Sequence, residues 1–162
     1  MLSPTWNKKT RGLWFYGLAG SGKSFASNVI FGRVNQGFII DGDLVRKHIS
    51  FDLGYSMSDR ETQIRRIFGL GCIAIQNKMF PIMSSVMMNE ELVEFCRKEE
   101  ITVVRIERDF EAVTKVRDIY DGNSDVVGMN ISLPELKTPS LMNDGTANFV
   151  SKLEHYAKSI CT

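Results

Sequence analysis

The sequence has 162 residues, of which 43% are hydrophobic and 24% are charged, and its net charge is +1. This balance is typical of one globular domain with its own core, and so small a charge excludes a broad basic surface for nucleic acid or anionic membranes. No apolar run is long enough to span a membrane and the N-terminal segment lacks an apolar signal stretch, so we expect a cytoplasmic protein.

The first predicted strand, residues 13–18, runs into GLAGSGKS and then into a helix predicted over 23–31. The octapeptide fits G-x-x-x-x-G-K-[ST], in which backbone N–H groups cradle phosphates, the lysine reaches the terminal phosphates and the Ser24 hydroxyl can ligate Mg²⁺. The motif predicts a nucleoside-triphosphate site but leaves the fate of the γ-phosphate open. The residues predicted to bind ATP here are Gly17, Leu18, Ala19, Gly20, Ser21, Gly22, Lys23, Ser24 and Phe25.

The second predicted strand, residues 37–41, ends in Asp41, and Asp43 follows after one glycine. Because ligands bind beyond the carboxyl ends of parallel strands, we expect Asp41 to face the phosphate loop. There it could accept a proton from an attacking hydroxyl or help to hold Mg²⁺. Either aspartate could instead cap the helix predicted over 43–49, and Asp43 fits the capping role better. Arg46, on the first turn of that helix, is by default a solvated surface charge.

The remaining pattern continues the alternation of strands and helices. We expect a capping box of Ser58 and Glu61 to start the long third helix. The predicted elements are a helix over 58–78, a strand over 79–87, a helix over 89–99, a strand over 101–107 and helices over 109–118 and 149–160. This order predicts one α/β domain with a parallel sheet covered by helices on both faces. The irregular segment 118–146 is either a functional lid or a disordered loop, and a lid is the commoner case.

Four segments together resemble the adenylylsulfate kinase family of P-loop kinases. They are GLWFYGLAGSGKS, IIDGDLVR, DLGYSMSDRETQIRRI and the pair Arg117–Asp118, and they span most of residues 11–118 in the family's order. The resemblance implies a three-layer P-loop kinase fold over the whole chain, 1–162, with a shortened lid. It also implies transfer of the γ-phosphate of ATP, with Mg²⁺, to the ribose 3′-hydroxyl of a nucleotide-like acceptor. Family members often pair as dimers, so a homodimer is compatible with it.

The same resemblance implies roles for individual residues. Lys23 and Asp41 would be the catalytic residues, with Asp41 acting as base or, together with Ser24, as metal ligand. Arg117 would lie over the base or phosphates of ATP, although a cation offsetting the helix macrodipole is the alternative. In the acceptor site, the two arginines would grip the phosphate or sulfate end and the tyrosine would stack on the base. The predicted acceptor residues are Asp43, Arg46, Tyr55, Arg60, Gln63 and Met87.

Three departures from the family pattern concern the acceptor. Gln63 stands where the family has asparagine, residues 86–90 replace an I-S-P-Y-R segment and include Met87, and the lid lacks the family's lysines and phenylalanine. Because specificity rests on a few polar contacts, these changes predict an altered acceptor. The chain looks more like a branch associated with capsular polysaccharide clusters, which implies cytidine diphosphoramidate as acceptor. Adenylylsulfate, another small metabolite such as a sugar acid, and a regulatory switch without kinase activity are the alternatives.

Overall fold

The computed structural model describes residues 10–115 and 126–160, which form a three-layer α/β domain. The strands are β1 (Gly12–Tyr16), β2 (Gly37–Asp41), β3 (Phe80–Ser85), β4 (Ile101–Glu107) and β5 (Ser140–Met142). The helices are α1 (Lys23–Phe31), α2 (Gly42–His48), α3 (Met57–Gln76), α4 (Glu90–Lys98), α5 (Phe110–Thr114) and α6 (Ala147–Ile160). None of these helices is long and apolar enough to cross a membrane.

All five strands are parallel, in the order β2-β3-β1-β4-β5. The central strand β1 pairs on both sides, and Trp14 lies between Met83 of β3 and Val103 of β4. Because all strands run the same way, their carboxyl ends meet at one edge of the sheet. The phosphate loop follows β1 and the two aspartates follow β2, so this edge brings the two predicted motifs together.

The central strand is buried on both faces, which is why its sequence reads as an unbroken apolar run. Trp14 and Tyr16 pack with residues of α3 and α4 on one side of the sheet. Leu13 and Phe15 pack with residues of α1 and α6 on the other side. All four side chains are fully buried. The predicted parallel sheet between two helical layers is therefore confirmed.

One prediction of local structure is wrong, and one strand was missed. The third helix is capped by Ser56, whose Oγ accepts the N–H of Asp59 at 3.2 Å, and not by the box of Ser58 and Glu61. Ser56 and Asp59 have the same serine-x-x-acid spacing as the predicted pair, Ser58 and Glu61. The helix starts at the pair that comes first in the chain. Strand β5 was not predicted, because three residues are too few to show a period in the sequence. Its Leu141 is nevertheless buried beside α6.

Candidate active site

The carboxyl edge of the sheet borders a cavity of about 640 Å³, a size typical of small-molecule sites. Its walls combine residues predicted to bind ATP with residues predicted to bind the acceptor. The first group contributes Ala19, Gly20, Gly22, Lys23, Ser24 and Phe25. Asp41 lies in the wall with the second group, which is present in full: Asp43, Arg46, Tyr55, Arg60, Gln63 and Met87. The folded chain thus brings two sets of distant residues into one site.

The phosphate loop owes its shape to glycines in the left-handed region. Gly17 and Gly22 have φ values of 148° and 106°, which other residues rarely adopt. A Cβ on Gly17 would also lie 2.3 Å from the carbonyl oxygen of Ile106. Gly17, Leu18 and Ser21 were predicted to bind ATP, but none of them lines the cavity. Their predicted role in ATP binding stays a prediction, and the Leu18 carbonyl accepts a hydrogen bond from the Lys23 amine at 2.8 Å.

Asp41 has two sets of contacts, one for each carboxylate oxygen. Oδ1 accepts the N–H groups of Asp43 at 2.9 Å and Leu44 at 3.4 Å, which makes Asp41 the N-cap of α2. Oδ2 accepts the hydroxyls of Ser24 and Ser84, each at 3.1 Å. The prediction that Asp43 caps this helix is wrong, because α2 begins one residue earlier than expected. Capping and a place in the site are therefore combined in Asp41 and are not alternatives.

Ser24 and Asp41 are suited to holding a metal ion. Ser24 Oγ lies 3.1 Å from Asp41 Oδ2, and both residues line the cavity. Hydroxyl and carboxylate oxygens are hard ligands of the kind that Mg²⁺ takes, usually with one or two carboxylates and with phosphate oxygens and waters completing its shell. The pair therefore fits a Mg²⁺ ion shared with a bound triphosphate.

Two arginines converge on Tyr55 at the far end of the cavity. The guanidinium carbon of Arg46 lies 4.7 Å from the centroid of the Tyr55 ring, and that of Arg60 lies 5.5 Å from it. Arg46 also donates to the Gly54 carbonyl at 2.7 Å, and Arg60 Nε donates to the Tyr55 carbonyl at 2.9 Å. Arg60 is only 8% exposed, so it is not a solvated surface charge. This end of the cavity is positively charged and suits an anionic group.

Gln63 presents an unpaired hydrogen-bond acceptor in the cavity wall. The residue is 5% exposed, and its Nε2 donates to the Gly42 carbonyl at 2.9 Å. Its Oε1 is buried and has no partner among the residues that the structure describes. A buried polar atom without a partner costs about 1–3 kcal/mol.

Several residues in contact with the cavity or the phosphate loop were not among the predicted site residues. Val126 and Val127 line the cavity, where the sequence predicted only a lid depleted in basic groups. Their one signal was an apolar pair within a polar segment. Arg108 and Asn143, from the ends of β4 and β5, donate to carbonyls of the phosphate loop. Arg117 lies outside the described residues, so its predicted role over ATP stays a prediction.

Comparisons with known proteins agree with this picture. The model of the family described as adenylylsulphate kinase matches residues 9–118, more than half of the chain. A probable adenylyl-sulfate kinase of Halalkalibacterium halodurans is 36% identical over 87 residues, which are 51% of this chain and 42% of that protein. An adenylyl-sulfate kinase of Picosynechococcus is 32% identical over 90 residues, which are 53% of this chain and 51% of that protein. The chain spans about half the length of the curated relatives it matches.

The fold is also found among solved structures. The APS kinase of Mycobacterium tuberculosis, in complex with AMPPNP and APS, superposes with a TM-score of 0.81 over 93% of this chain and 97% of its own. The two sequences are 19% identical, so the likeness concerns the fold alone. It confirms the predicted P-loop kinase fold.

Proposed function

This chain belongs to the adenylylsulphate kinase family, and we propose on that premise that it transfers the γ-phosphate of ATP to a hydroxyl of a nucleotide-like acceptor. The observation that carries the proposal is the single cavity in which the phosphate loop and a cationic, aromatic end share one space. A site built only to bind ATP has no need of a second anion-binding end. Asp41 lies in the wall of the same cavity, where a hydroxyl would meet the terminal phosphate.

In this mechanism the phosphate loop holds the β- and γ-phosphates with backbone N–H groups and the Lys23 amine. Lys23 would exchange its contact with the Leu18 carbonyl for phosphate oxygens when ATP binds. Asp41 would orient the acceptor hydroxyl and take its proton as the hydroxyl oxygen bonds to the γ-phosphorus, while the bond from that phosphorus to the β,γ-bridging oxygen breaks and ADP leaves. Its carboxylate is already aimed by four donors, the two backbone N–H groups of α2 and two serine hydroxyls.

Mg²⁺ belongs to this proposal as the ion that accompanies ATP. When bound, it would neutralise negative charge on the transferring phosphate. Ser24 Oγ and Asp41 Oδ2 are the protein atoms that would hold it. In this proposal both roles of Asp41 fall on Oδ2, the oxygen that accepts the Ser24 hydroxyl, because Oδ1 is used by the cap of α2.

Adenylylsulfate is the first acceptor to test. The curated relatives named above are adenylyl-sulfate kinases, which supports this acceptor over the cytidine compound expected from the sequence. Arg46 and Arg60 would bind its anionic end, and the Tyr55 ring would lie against its base. Gln63 lies in the wall of the same cavity, so its side chain is a candidate contact to the acceptor base.

Cytidine diphosphoramidate, a precursor in capsular polysaccharide modification, is the second candidate. It is favoured by the glutamine at position 63, where the resembled family has asparagine, and by Met87 in the cavity wall. Adenine and cytosine both carry an exocyclic amine, so an amide side chain at position 63 does not by itself distinguish the two bases. Which of the two acceptors is preferred depends on the size and polarity of the rest of the cavity wall.

The test is a coupled assay of ADP release by the purified chain with Mg²⁺ and ATP. Adenylylsulfate, cytidine diphosphoramidate, a sugar acid and no acceptor are compared, and the phosphorylated position is identified by ³¹P NMR. We expect ADP release that depends on a nucleotide-like acceptor and a product phosphorylated on the ribose 3′-oxygen. ATP binding without acceptor-dependent ADP release would favour the regulatory switch and contradict the kinase proposal. Turnover of the sugar acid alone would contradict the nucleotide acceptor.

A further inference from the structure

Two side chains grip the phosphate loop from outside the cavity. Asn143, directly after β5, donates from Nδ2 to the Ser21 carbonyl at 2.8 Å. Arg108, directly after β4, donates from Nη1 to the Gly20 carbonyl at 3.1 Å. The two carbonyls are consecutive, and neither Asn143 nor Arg108 lines the cavity. The loop is therefore held at two successive peptide units by strands that follow it in the chain by about 90 and 120 residues.

Holding a carbonyl also aims the next N–H group. In a planar trans peptide, the C=O and the N–H of the same unit point in opposite directions. Asn143 fixes the carbonyl of the unit between Ser21 and Gly22 on the outer side, so the Gly22 N–H is directed to the opposite side. Gly22 lines the cavity. The preceding unit serves the loop itself, because the Ser21 N–H donates to the Leu18 carbonyl at 3.1 Å.

Asn143 is itself rigidly placed. Its Oδ1 accepts the Gly145 N–H at 3.0 Å, and its own N–H donates to the Glu107 carbonyl at 2.7 Å. The residue is 8% exposed. A Cβ on Gly22 would lie 2.4 Å from Asn143 Nδ2, so the loop and this amide are packed as closely as a glycine allows. Because its backbone N–H and its side-chain oxygen are both bonded elsewhere, Asn143 can hold the loop in one conformation before any ligand arrives.

We propose that Asn143 is a positioning residue for nucleotide binding. Its amide presets the Gly22 N–H toward the phosphates of the nucleotide, and Arg108 supports the preceding peptide unit. A preset N–H group raises affinity, because the loop then loses less conformational freedom on binding. The inference rests on the proposed function for the identity of the ligand, and it predicts an effect on the nucleotide and none on the acceptor.

The central variant is Asn143→Asp, which keeps an oxygen for the Gly145 N–H but places a carboxylate oxygen against the Ser21 carbonyl. Asn143→Ala is its neutral counterpart and separates the lost hydrogen bond from the added charge. We expect the Kd for ADP with Mg²⁺, measured by calorimetry, to rise about tenfold in Asn143→Ala and further in Asn143→Asp. The KM for the acceptor should not change. Asn77→Asp is the matched control, because Asn77 Nδ2 also donates to a backbone carbonyl, that of Ile73, at 2.8 Å on an exposed helix end.

A second pair of variants covers the case in which the Asn143 variants do not fold. Arg108→Gln should raise the Kd for ADP several-fold, while Arg105→Gln, the same change three residues earlier in β4 and outside the cavity wall, should leave it unchanged. A residue that only stabilises the fold would lower the melting temperature without ligand but leave the Kd of the folded protein as it was. That result in the Asn143 variants would overturn the inference. If the Asn143 variants do not fold, an unchanged Kd for ADP in Arg108→Gln would overturn it.

The failure of this inference and that of the proposed function have different signatures. ADP binding needs no acceptor, so the wild-type protein is titrated first. A wild-type protein that does not bind ADP with Mg²⁺ contradicts the proposed function and the inference built on it. A wild-type protein that binds ADP, with foldable Asn143 variants that bind it equally well, contradicts the inference alone.

Discussion

The phosphate half and the acceptor half of the cavity differ in the groups that form them. The phosphate half is formed mainly by a loop that glycines turn, with the side chains of Lys23 and Ser24 beside it. The acceptor half consists of side chains, in which Arg46 and Arg60 surround Tyr55 and Gln63 bonds to the start of α2. A backbone site recognises any polyphosphate, because every residue has an N–H group. A side-chain site can change its ligand by one substitution, so we infer that acceptor choice lies in this half.

Asp41 joins the two halves, and its replacement should have the largest effect. In Asp41→Asn, the amide oxygen can still cap α2, but the charge that faces Ser24 is lost. We expect kcat to fall about 100-fold or more, with the circular dichroism spectrum unchanged. Asp109→Asn is the control, because Asp109 also caps a short helix after a strand and does not line the cavity. A near-normal kcat in Asp41→Asn would contradict the assigned role.

Arg60→Lys should have the next largest effect and should separate the two halves. Lysine keeps the charge but lacks the planar guanidinium group. That group can donate to the Tyr55 carbonyl through Nε while its other N–H groups remain available to a ligand in the cavity. We expect the KM for the acceptor to rise about tenfold and the KM for ATP to stay the same. Arg65→Lys, on the same helix but outside the cavity wall, is the matched control. Equal changes in both KM values would show that the two halves are not independent.

Gln63→Asn restores the family's residue and sharpens the comparison within the acceptor half. A side chain shorter by one methylene cannot keep both the Gly42 contact and the position of Oε1. We expect the ratio of kcat/KM for adenylylsulfate to that for cytidine diphosphoramidate to change about threefold to tenfold. Gln76→Asn, the same change at the exposed end of the same helix, is the control. An unchanged ratio would show that position 63 does not select the acceptor.

The smallest expected effect concerns Asp144, in the turn that follows Asn143. Hydrogen bonds from Thr146 and Asn148 lower the pKa of Asp144 to about 2, whereas an unfolded aspartate titrates near about 3.9. A lowered folded pKa means that this stabilisation is present above about pH 4 and is lost as the pH falls toward about 2. Asp144→Asn should therefore melt slightly below wild type at pH 7, and the difference should close at acid pH. A difference that stays constant between pH 7 and pH 2 would contradict this assignment.

The sequence was sufficient to predict those features that depend on local backbone geometry. The parallel α/β fold followed from the alternation of apolar strands and helices, and the phosphate loop from its glycines and Lys23. Of the side chains proposed from the resemblance, every acceptor residue lies in the wall of one cavity. The resemblance to the family implied these residues, and the structure places them together at the edge of the sheet where β2 ends.

Tertiary structure decided what depends on the packing of distant segments. Asp41 caps α2 because the helix begins one residue earlier than propensity suggested, and Gln63 has a free oxygen because its amide nitrogen meets Gly42, 21 residues away. Arg108 and Asn143 meet the phosphate loop across 88 and 122 residues, and Asn143 follows a strand too short to show a period. Such contacts leave no mark on sequence spacing, because the folded sheet, and not the distance along the chain, brings the partners together.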